Sequence, residues 1–196
     1  MTPTGPWKEG REGAASLCYI DLQPEELDHV LRHHAAVGIR ASLVCNDLHP
    51  NLSLPAERNW DLVAGREDPD LLSGLQKLDG CPERGCFLPT DSLSDPARFL
   101  YRLGTSDGVI PSPGPDLSAP LPSRKAPADT DMLLNGIEAD VGKAHWGVWR
   151  IDSAILAEMG VTAHERLLQK LGDHHARIWC APIRDIAGWQ PADASL

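Results

Sequence analysis

The chain lacks the basic surplus that a nucleic-acid or anionic-membrane partner requires. Its 196 residues carry 18 Lys and Arg against 28 Asp and Glu, a formal net charge of -10, with a pI of about 5.1. Phosphate binding needs a basic surface, so neither nucleic acid nor membrane is expected as a main partner. No apolar run approaches the roughly 20 residues of a membrane span. The opening "MTPTGPWKEGREGAAS" has no basic-then-apolar pattern, so no signal peptide is expected and the expected location is the cytoplasm. Several chemical signatures are missing too: HExxH, Cys-x-x-Cys, GxxxxGK[ST], GxGxxG and GxSxG. Their absence removes the usual sequence marks of a zinc protease, a phosphate-cradling loop and a serine nucleophile elbow. Phe and Tyr are scarce, two each against six Trp, a bias that points to no function.

The cysteines, five in all, are an odd number, which argues against a disulfide scaffold. Cys18, Cys45 and Cys180 fall in expected strands, where a thiol behaves as a small hydrophobe. Cys81 and Cys86 in "CPERGC" read as incidental thiols of a turn, because no second Cys/His pair has matching spacing. The adjacent pairs His33–His34 and His174–His175 point about 100° apart on a helix and read as helix-surface or helix-end residues, although His34 also shares a face with Leu27, Val30 and Leu31.

What is present is alternation. "SLCYID" (16–21) reads as a strand, and Pro24 then opens a helix with Gln23 or Asp21 near its cap, Glu25 and Glu26 in the first turn and Gly38 as a left-handed stop. "IRASLVC" (39–45) is a second strand, so the pair forms a βαβ unit with parallel strands. Further along, "WDLVAG" reads as a short helix, 68–80 as a helix capped by Asp68, 83–89 as a short strand and 95–104 as a cap-proline helix. Residues 129–144 form a helix with Met132, Leu133, Ile137 and Val141 as its stripe, and 145–152 a strand. Residues 162–173 form a helix capped by Thr162 with Glu165, 176–183 a last strand, and "RDIAGW" begins a last helix. The organisation expected is a flexible leader over 1–15, one domain over 16–190 with a proline-rich connection at 105–128, and a tail at 191–196. The fold class is α/β with a mainly parallel sheet or barrel.

Asp21 stands where a buried strand ends, a position at which α/β proteins keep chemistry. It reads equally as a helix cap or as a ligand. Asp47 and His49 follow the second strand and are placed to face it. Cys45 with His49 forms a weaker thiol–imidazole candidate, since strand cysteines are usually buried and inert.

Three stretches resemble the polysaccharide deacetylase domain (NodB homology, carbohydrate esterase family 4). "CYIDLQPEEL" and "GIRASLVC" are similar to the family's opening strand, helix and second strand. "HWGVWRID" is placed like the late strand. "LLQKLGDHHARIWCAPIRDIAGW" (167–189) is similar to the closing helix, strand and helix. Together they cover about half the chain in the family's order. The resemblance implies an irregular (β/α) barrel with its site at the C-terminal strand ends. It also implies metal-assisted hydrolysis of acetyl groups on carbohydrate, using a divalent ion (zinc, cobalt or nickel), a general base, an Asp and two His as ligands, and a late His as acid.

Carried over residue by residue, Asp21 falls on the metal-binding Asp and Ile20 on the general base. "AGREDPDL" (64–71) keeps Gly65 and Glu67 but has Arg66, and lacks the stretch that holds the two ligand histidines. "GCFLPTDS" only loosely resembles the family's proline-rich loop, and the late His position falls at Arg150 to Asp152. The resemblance therefore implies a deacetylase-like domain that is impaired or inactive, with a carbohydrate as its ligand. Two alternatives stay open. One is an active deacetylase with Asp21, Asp47 and His49 as relocated metal ligands, Asp21 and His49 serving catalysis. The other is an unrelated α/β binding protein.

Overall fold

A computed structural model describes residues 5–87 and 98–190. Eight strands are named in it: β1 (Gly13–Ile20), β2 (Ser42–Cys45), β3 (Asp61–Ala64), β4 (Gly85–Phe87), β5 (Tyr101–Leu103), β6 (Arg124–Lys125), β7 (Trp146–Asp152) and β8 (Ile178–Cys180). Seven α-helices accompany them: α1 (Pro24–Val37), α2 (Ser53–Glu57), α3 (Pro69–Asp79), α4 (Thr130–Val141), α5 (Ser153–Met159), α6 (Val161–Asp173) and α7 (Ile183–Ala187). The strand order is β5-β4-β3-β2-β1-β7-β6, with β8 also on β1. All these pairings are parallel. Leu121, just before β6, bridges Leu103 of β5, so the sheet curls its two ends toward each other. The expected α/β architecture, a curled parallel sheet of the (β/α)-barrel type, is present.

Alternation along each strand divides the side chains between two faces. Ala14, Cys18, Ile20, Val44, Val63, Tyr101, Trp146 and Val148 fill the concave side. Leu17, Tyr19, Leu43, Leu62, Trp149 and Ile151 face the helices. The helices start and stop where local chemistry dictates. Gln23 and Glu26 form a reciprocal capping box on α1, and Gly38 ends it at φ 69°, a conformation that costs glycine little. Asp68 and Asp129 cap α3 and α4 by accepting two backbone N–H bonds each.

Several local expectations are corrected. "WDLVAG" holds strand β3, not a helix; Asp61 interrupts its apolar pattern and is buried with three donors on its Oδ2. The helix expected over 95–104 is strand β5 at its C-terminal end, where pairing of Tyr101–Leu103 with β4 overrides the local cap-proline signal; its first residues, 95–97, lie outside the described ones, as does the tail at 191–196. The leader expected over 1–15 is folded from residue 5: β1 begins at Gly13, and Trp7 is buried with its Nε1 donating to the Ala144 carbonyl at 2.9 Å. Met132 is 64% exposed and leaves the stripe of α4, where Leu134 is buried instead. α5 was not expected. Asp152 caps it, and α6 begins at Val161 after Gly160, so Thr162 is no cap.

The most consequential joint is on β1. One edge of β1 pairs with β7 along its length. The other edge is shared: Gly13–Ala15 pair with β8, and Cys18–Ile20 pair with β2. Ser16 lies at the changeover. Its Oγ donates to the Ala181 carbonyl at 2.8 Å and accepts from Trp146 Nε1 at 3.1 Å. Beyond it, Ser42 Oγ accepts from the Ile183 N–H at 2.9 Å. Asp61 Oδ2 accepts from the Arg184 N–H at 3.0 Å, from Ser42 Oγ at 3.1 Å and from the Tyr101 hydroxyl at 2.5 Å. Burial pushes the Asp61 carboxyl up from its usual range, against the bonds from Tyr101, Arg184 and Ser42.

Removing the Asp61 acceptor leaves buried donors unpaired, at about 1–3 kcal/mol each. Asp61→Ala is therefore expected to lower unfolding free energy in urea by at least about 3 kcal/mol, and Asp61→Asn by less. Near-wild-type stability of Asp61→Ala would show that the seam holds nothing together.

Candidate functional site

The C-terminal strand ends form the mouth of the curled sheet. Asp21 follows β1; Asn46, Asp47 and His49 follow β2; Arg66 follows β3. The sequence therefore correctly brought Asp21, Asp47 and His49 together, since all three line one pocket of about 390 Å³. Leu27, Leu43 and Leu52 supply apolar wall, and Asn51 also lines the pocket.

Asp21, Asp47 and His49 each have a partner for one of their polar atoms. Asp21 is exposed and adopts φ 54°, the left-handed region that Asp tolerates better than most residues. It turns the chain out of β1, while Gln23 serves as the cap of α1, so the cap reading of Asp21 is corrected. Asn46 Nδ2 donates to the Asp21 carboxylate, a partner that sequence reasoning missed. Asp47 is ion-paired with Arg66 at 3.2 Å, and Arg66 also reaches Asp68 at 3.1 Å. His49 caps a 3-10 turn at Pro50–Leu52, its Nδ1 accepting from the Asn51 N–H at 3.3 Å. Among the described residues no three His, Cys, Asp or Glu side chains form a group that could hold a metal ion. The set does not fit the divalent ion that the resemblance implies.

The concave side near the mouth has a cation where the late family histidine was expected. Arg150 is half-buried; its Nη2 donates to the Ser123 carbonyl at 3.3 Å, and its guanidinium lies 5.9 Å from the Phe87 ring centre. Asp152 caps α5 through the Ile155 N–H at 2.8 Å and pairs with Lys125 at 3.3 Å. Burial raises its carboxyl, but the Ile155 bond and Lys125 outweigh that and hold it below the usual range. Cys45 does not pair with His49. It is buried, its thiol faces the Leu43 carbonyl at 3.5 Å, and burial pushes it up to about 12.

A second polar assembly lies on the helix side of the sheet. His34 is fully buried in it, not on a helix surface as its place in a His pair suggested; its position on the Leu27–Val30–Leu31 face was the better signal. His34 Nδ1 lies 3.1 Å from the Ile39 carbonyl, which only accepts, so the proton is on Nδ1. Its Nε2 then accepts from the Tyr19 hydroxyl at 2.8 Å. Tyr19 oxygen in turn accepts from His164 Nε2–H at 2.7 Å. That leaves His164 Nδ1 bare, and it accepts from His33 Nδ1–H at 3.1 Å. One carbonyl thus fixes every tautomer in a one-way chain of neutral rings.

Burial holds the rings neutral. It drives His34 down to about 3 and His164 to about 4, with the neighbouring imidazoles adding to the effect, and it lowers His33 against the pull of Glu165. The unfolded rings titrate near 6.5. Since the folded values are lower, the unfolded state binds more protons, and stability falls as pH drops from about 6.5 toward about 4. Each buried ring contributes a slope of up to about 1.4 kcal/mol per pH unit. Urea denaturation between pH 7 and 5, above most carboxylate titration, is expected to show this loss; a flat profile would remove the buried neutral rings as its source. For Asp21, the turn role predicts that Asp21→Gly keeps stability while Asp21→Val lowers it by about 1–3 kcal/mol, read from denaturation midpoints. Equal midpoints for the two variants would sink that role.

No family model matches the chain, and no curated protein matches it. Solved structures do. An allantoinase structure (Puue) aligns with a TM-score of 0.65 at 13% identity, covering 95% of this chain and 92% of its own. A peptidoglycan N-acetylglucosamine deacetylase aligns at 0.57 and 11%, covering 92% and 90%. A CE4 family pseudoenzyme from Bacillus anthracis aligns at 0.51 and 10%, covering 90% of this chain and 66% of its own. At such identities the likeness concerns the backbone: this chain has the fold of the CE4 polysaccharide deacetylases and of the allantoinase that aligns with it.

Proposed function

We propose that this chain is a polysaccharide-deacetylase-like domain that binds an N-acetylated carbohydrate at its mouth and does not hydrolyse it. The observation that carries this reading is the engagement of the mouth's own polar groups. Asp21 is held by Asn46, Asp47 by Arg66, and His49 by the turn it caps. A catalytic ion needs about three protein ligands and an open position, and among the described residues no three His, Cys, Asp or Glu side chains form such a group. Ile20, at the position the resemblance gives to the general base, has no proton to take or give. Positioned proton transfer is worth roughly 10²–10⁴-fold, so its absence alone removes useful turnover. A pocket of about 390 Å³ with an apolar wall and a few polar groups is suited to one sugar ring with an acetamido group. Two of the aligned structures lend support, one a peptidoglycan N-acetylglucosamine deacetylase and one a pseudoenzyme of the same fold.

The second reading is an active deacetylase whose ligands have moved. Its support is that Asp21, Asp47 and His49 line the same pocket, so breaking the Asp47–Arg66 pair and turning His49 would bring three donors toward one another. The two readings part in one experiment. The chain is incubated with N-acetylglucosamine oligomers and zinc, cobalt or nickel, and both acetate release and calorimetric binding are followed, with Asp21→Ala alongside. Oligomer binding without acetate release is the expected result. Acetate release that Asp21→Ala abolishes would replace the first reading with the second. Absence of both binding and release would remove a carbohydrate from either.

A further inference from the structure

The concave side carries a cation without a counter-charge. Register places Arg150 of β7 beside Cys18 of β1 and Lys125 of β6. Residues paired across neighbouring strands share a face of the sheet. Cys18 lies on the concave face, so Arg150 and Lys125 do too. The Arg150 guanidinium leans toward the C-terminal strand ends, 5.9 Å from the ring centre of Phe87, the last residue of β4. Its Nη2 donates to the Ser123 carbonyl at 3.3 Å, and its Nε is buried without a partner. Among the described residues no carboxylate lies within ion-pair distance of it, and Nη1 makes no hydrogen bond. Other guanidiniums of low exposure are balanced: Arg84 and Arg184 meet Asp79, and Arg124 meets Asp140. Drawing a charge out of water without an opposite charge is costly, so Arg150 stands where an anion would be stabilising.

We propose that the carbohydrate taken at the mouth is acidic, and that Arg150 recognises its carboxylate. This rests on the carbohydrate reading above and names the class of sugar. A planar guanidinium matches a carboxylate with parallel N–H bonds. Here Nη1 is open, and Nη2 is held by a single long bond to a carbonyl. Arg150 does not line the pocket of about 390 Å³, but Asp21 does. Asp21 stands three residues beyond Cys18, the register partner of Arg150. At a rise of about 3.3 Å and a strand spacing of about 4.8 Å, the α-carbons of Asp21 and Arg150 are roughly 11 Å apart. An oligomer seated in the pocket therefore has a neighbouring ring within reach of the long arginine side chain. The net charge of -10 opposes an anion, so the attraction is local. Lys125 adds a second cation beside Arg150. Asp152, two residues further along β7 on the same face, is met by Lys125 at 3.3 Å and by the Ile155 N–H. Asp21 and Asp47 are met by Asn46 and Arg66.

The test is calorimetric titration of the full chain at low salt with three tetrasaccharides. One alternates N-acetylglucosamine with glucuronate, the second is the same molecule with its carboxylates reduced to alcohols, and the third is neutral N-acetylglucosamine throughout. The parent is compared with Arg150→Gln, Arg150→Lys and Arg40→Gln, all checked for folding by circular dichroism. Arg40 precedes β2 at the opposite end of the sheet, where it pairs with Asp185, so its loss changes net charge alone. The acidic tetrasaccharide is expected to bind the parent about 10–100-fold more tightly than its reduced form, a comparison that needs no variant. That preference should vanish in Arg150→Gln, persist in part in Arg150→Lys, which keeps the charge without the fork, and remain in Arg40→Gln. Equal binding of the acidic and reduced forms, a preference that survives Arg150→Gln, or one that Arg40→Gln also removes would each overturn the proposal. Binding of the neutral N-acetylglucosamine tetrasaccharide with no acidic preference would overturn it and leave the carbohydrate reading standing. Binding of none of the three would overturn both.

Discussion

The shared edge of β1 is the constraint on which the rest of the architecture depends. A strand has only two hydrogen-bonding edges, yet β1 serves three parallel partners. β8 and β2 achieve this by dividing one edge between its two halves, which forces the sheet to curl around that point. The division also ends β8 inside the protein, where the backbone amides of Ile183 and Arg184 would otherwise be buried without partners. Ser42 and Asp61 accept from those two amides, and Ser16, on a third strand, donates to the Ala181 carbonyl just before them. A buried unpaired amide is costly, so the polar seam is what permits a curled sheet with an apolar concave side. Asp61 looks misplaced in an apolar strand only until its three donors are counted.

The curl then separates two chemistries. On the concave side, strand ends deliver exposed polar groups to the mouth, where solvent competes for each of them. On the convex side, the same alternation points Tyr19 into the helix layer between His34 and His164. Ile20 and Tyr19 are neighbours in sequence, yet they face opposite sides. The residue that the resemblance places on the general base faces an apolar interior, while the residue before it anchors a chain of imidazoles. A register slip of one residue would exchange these roles, so both arrangements rest on the pairing of β1 with β7 along its whole length.

Much of this fold was legible where local signals and tertiary packing agree. The βαβ unit from β1 to β2, the Asp68–Pro69 cap, the Gly38 stop and the strand at 146–152 all carry cap chemistry or an apolar period that needs no distant partner. The misreadings fall where distant partners decide. β3 holds an acid that is acceptable only because of Tyr101, Ser42 and Arg184. β5 begins like a helix and becomes a strand through pairing with β4. His34 lies beside His33 in a motif that reads as surface, but its role is set by Tyr19 from β1 and His164 from α6. The site was legible in part for the same reason. Strand ends are visible in a sequence, so Asp21, Asp47 and His49 were placed at one mouth. Which groups engage them was not visible, because Asn46 and Arg66 act through rotamers and loop geometry that spacing does not encode.

The contrast between the two polar clusters is one of preorganisation. At the mouth, Asp21, Asp47 and His49 each give one atom to a partner: an amide, a guanidinium, a backbone N–H. To serve a metal or a proton transfer, such groups must first break those contacts, in water, with no net gain until all have moved. In the helix layer, His164 is buried and both its ring nitrogens have partners, Tyr19 and His33. The mouth is a pocket lined by both polar and apolar groups. The buried imidazole chain lies on the other side of the sheet, hung from the Ile39 carbonyl ahead of β2.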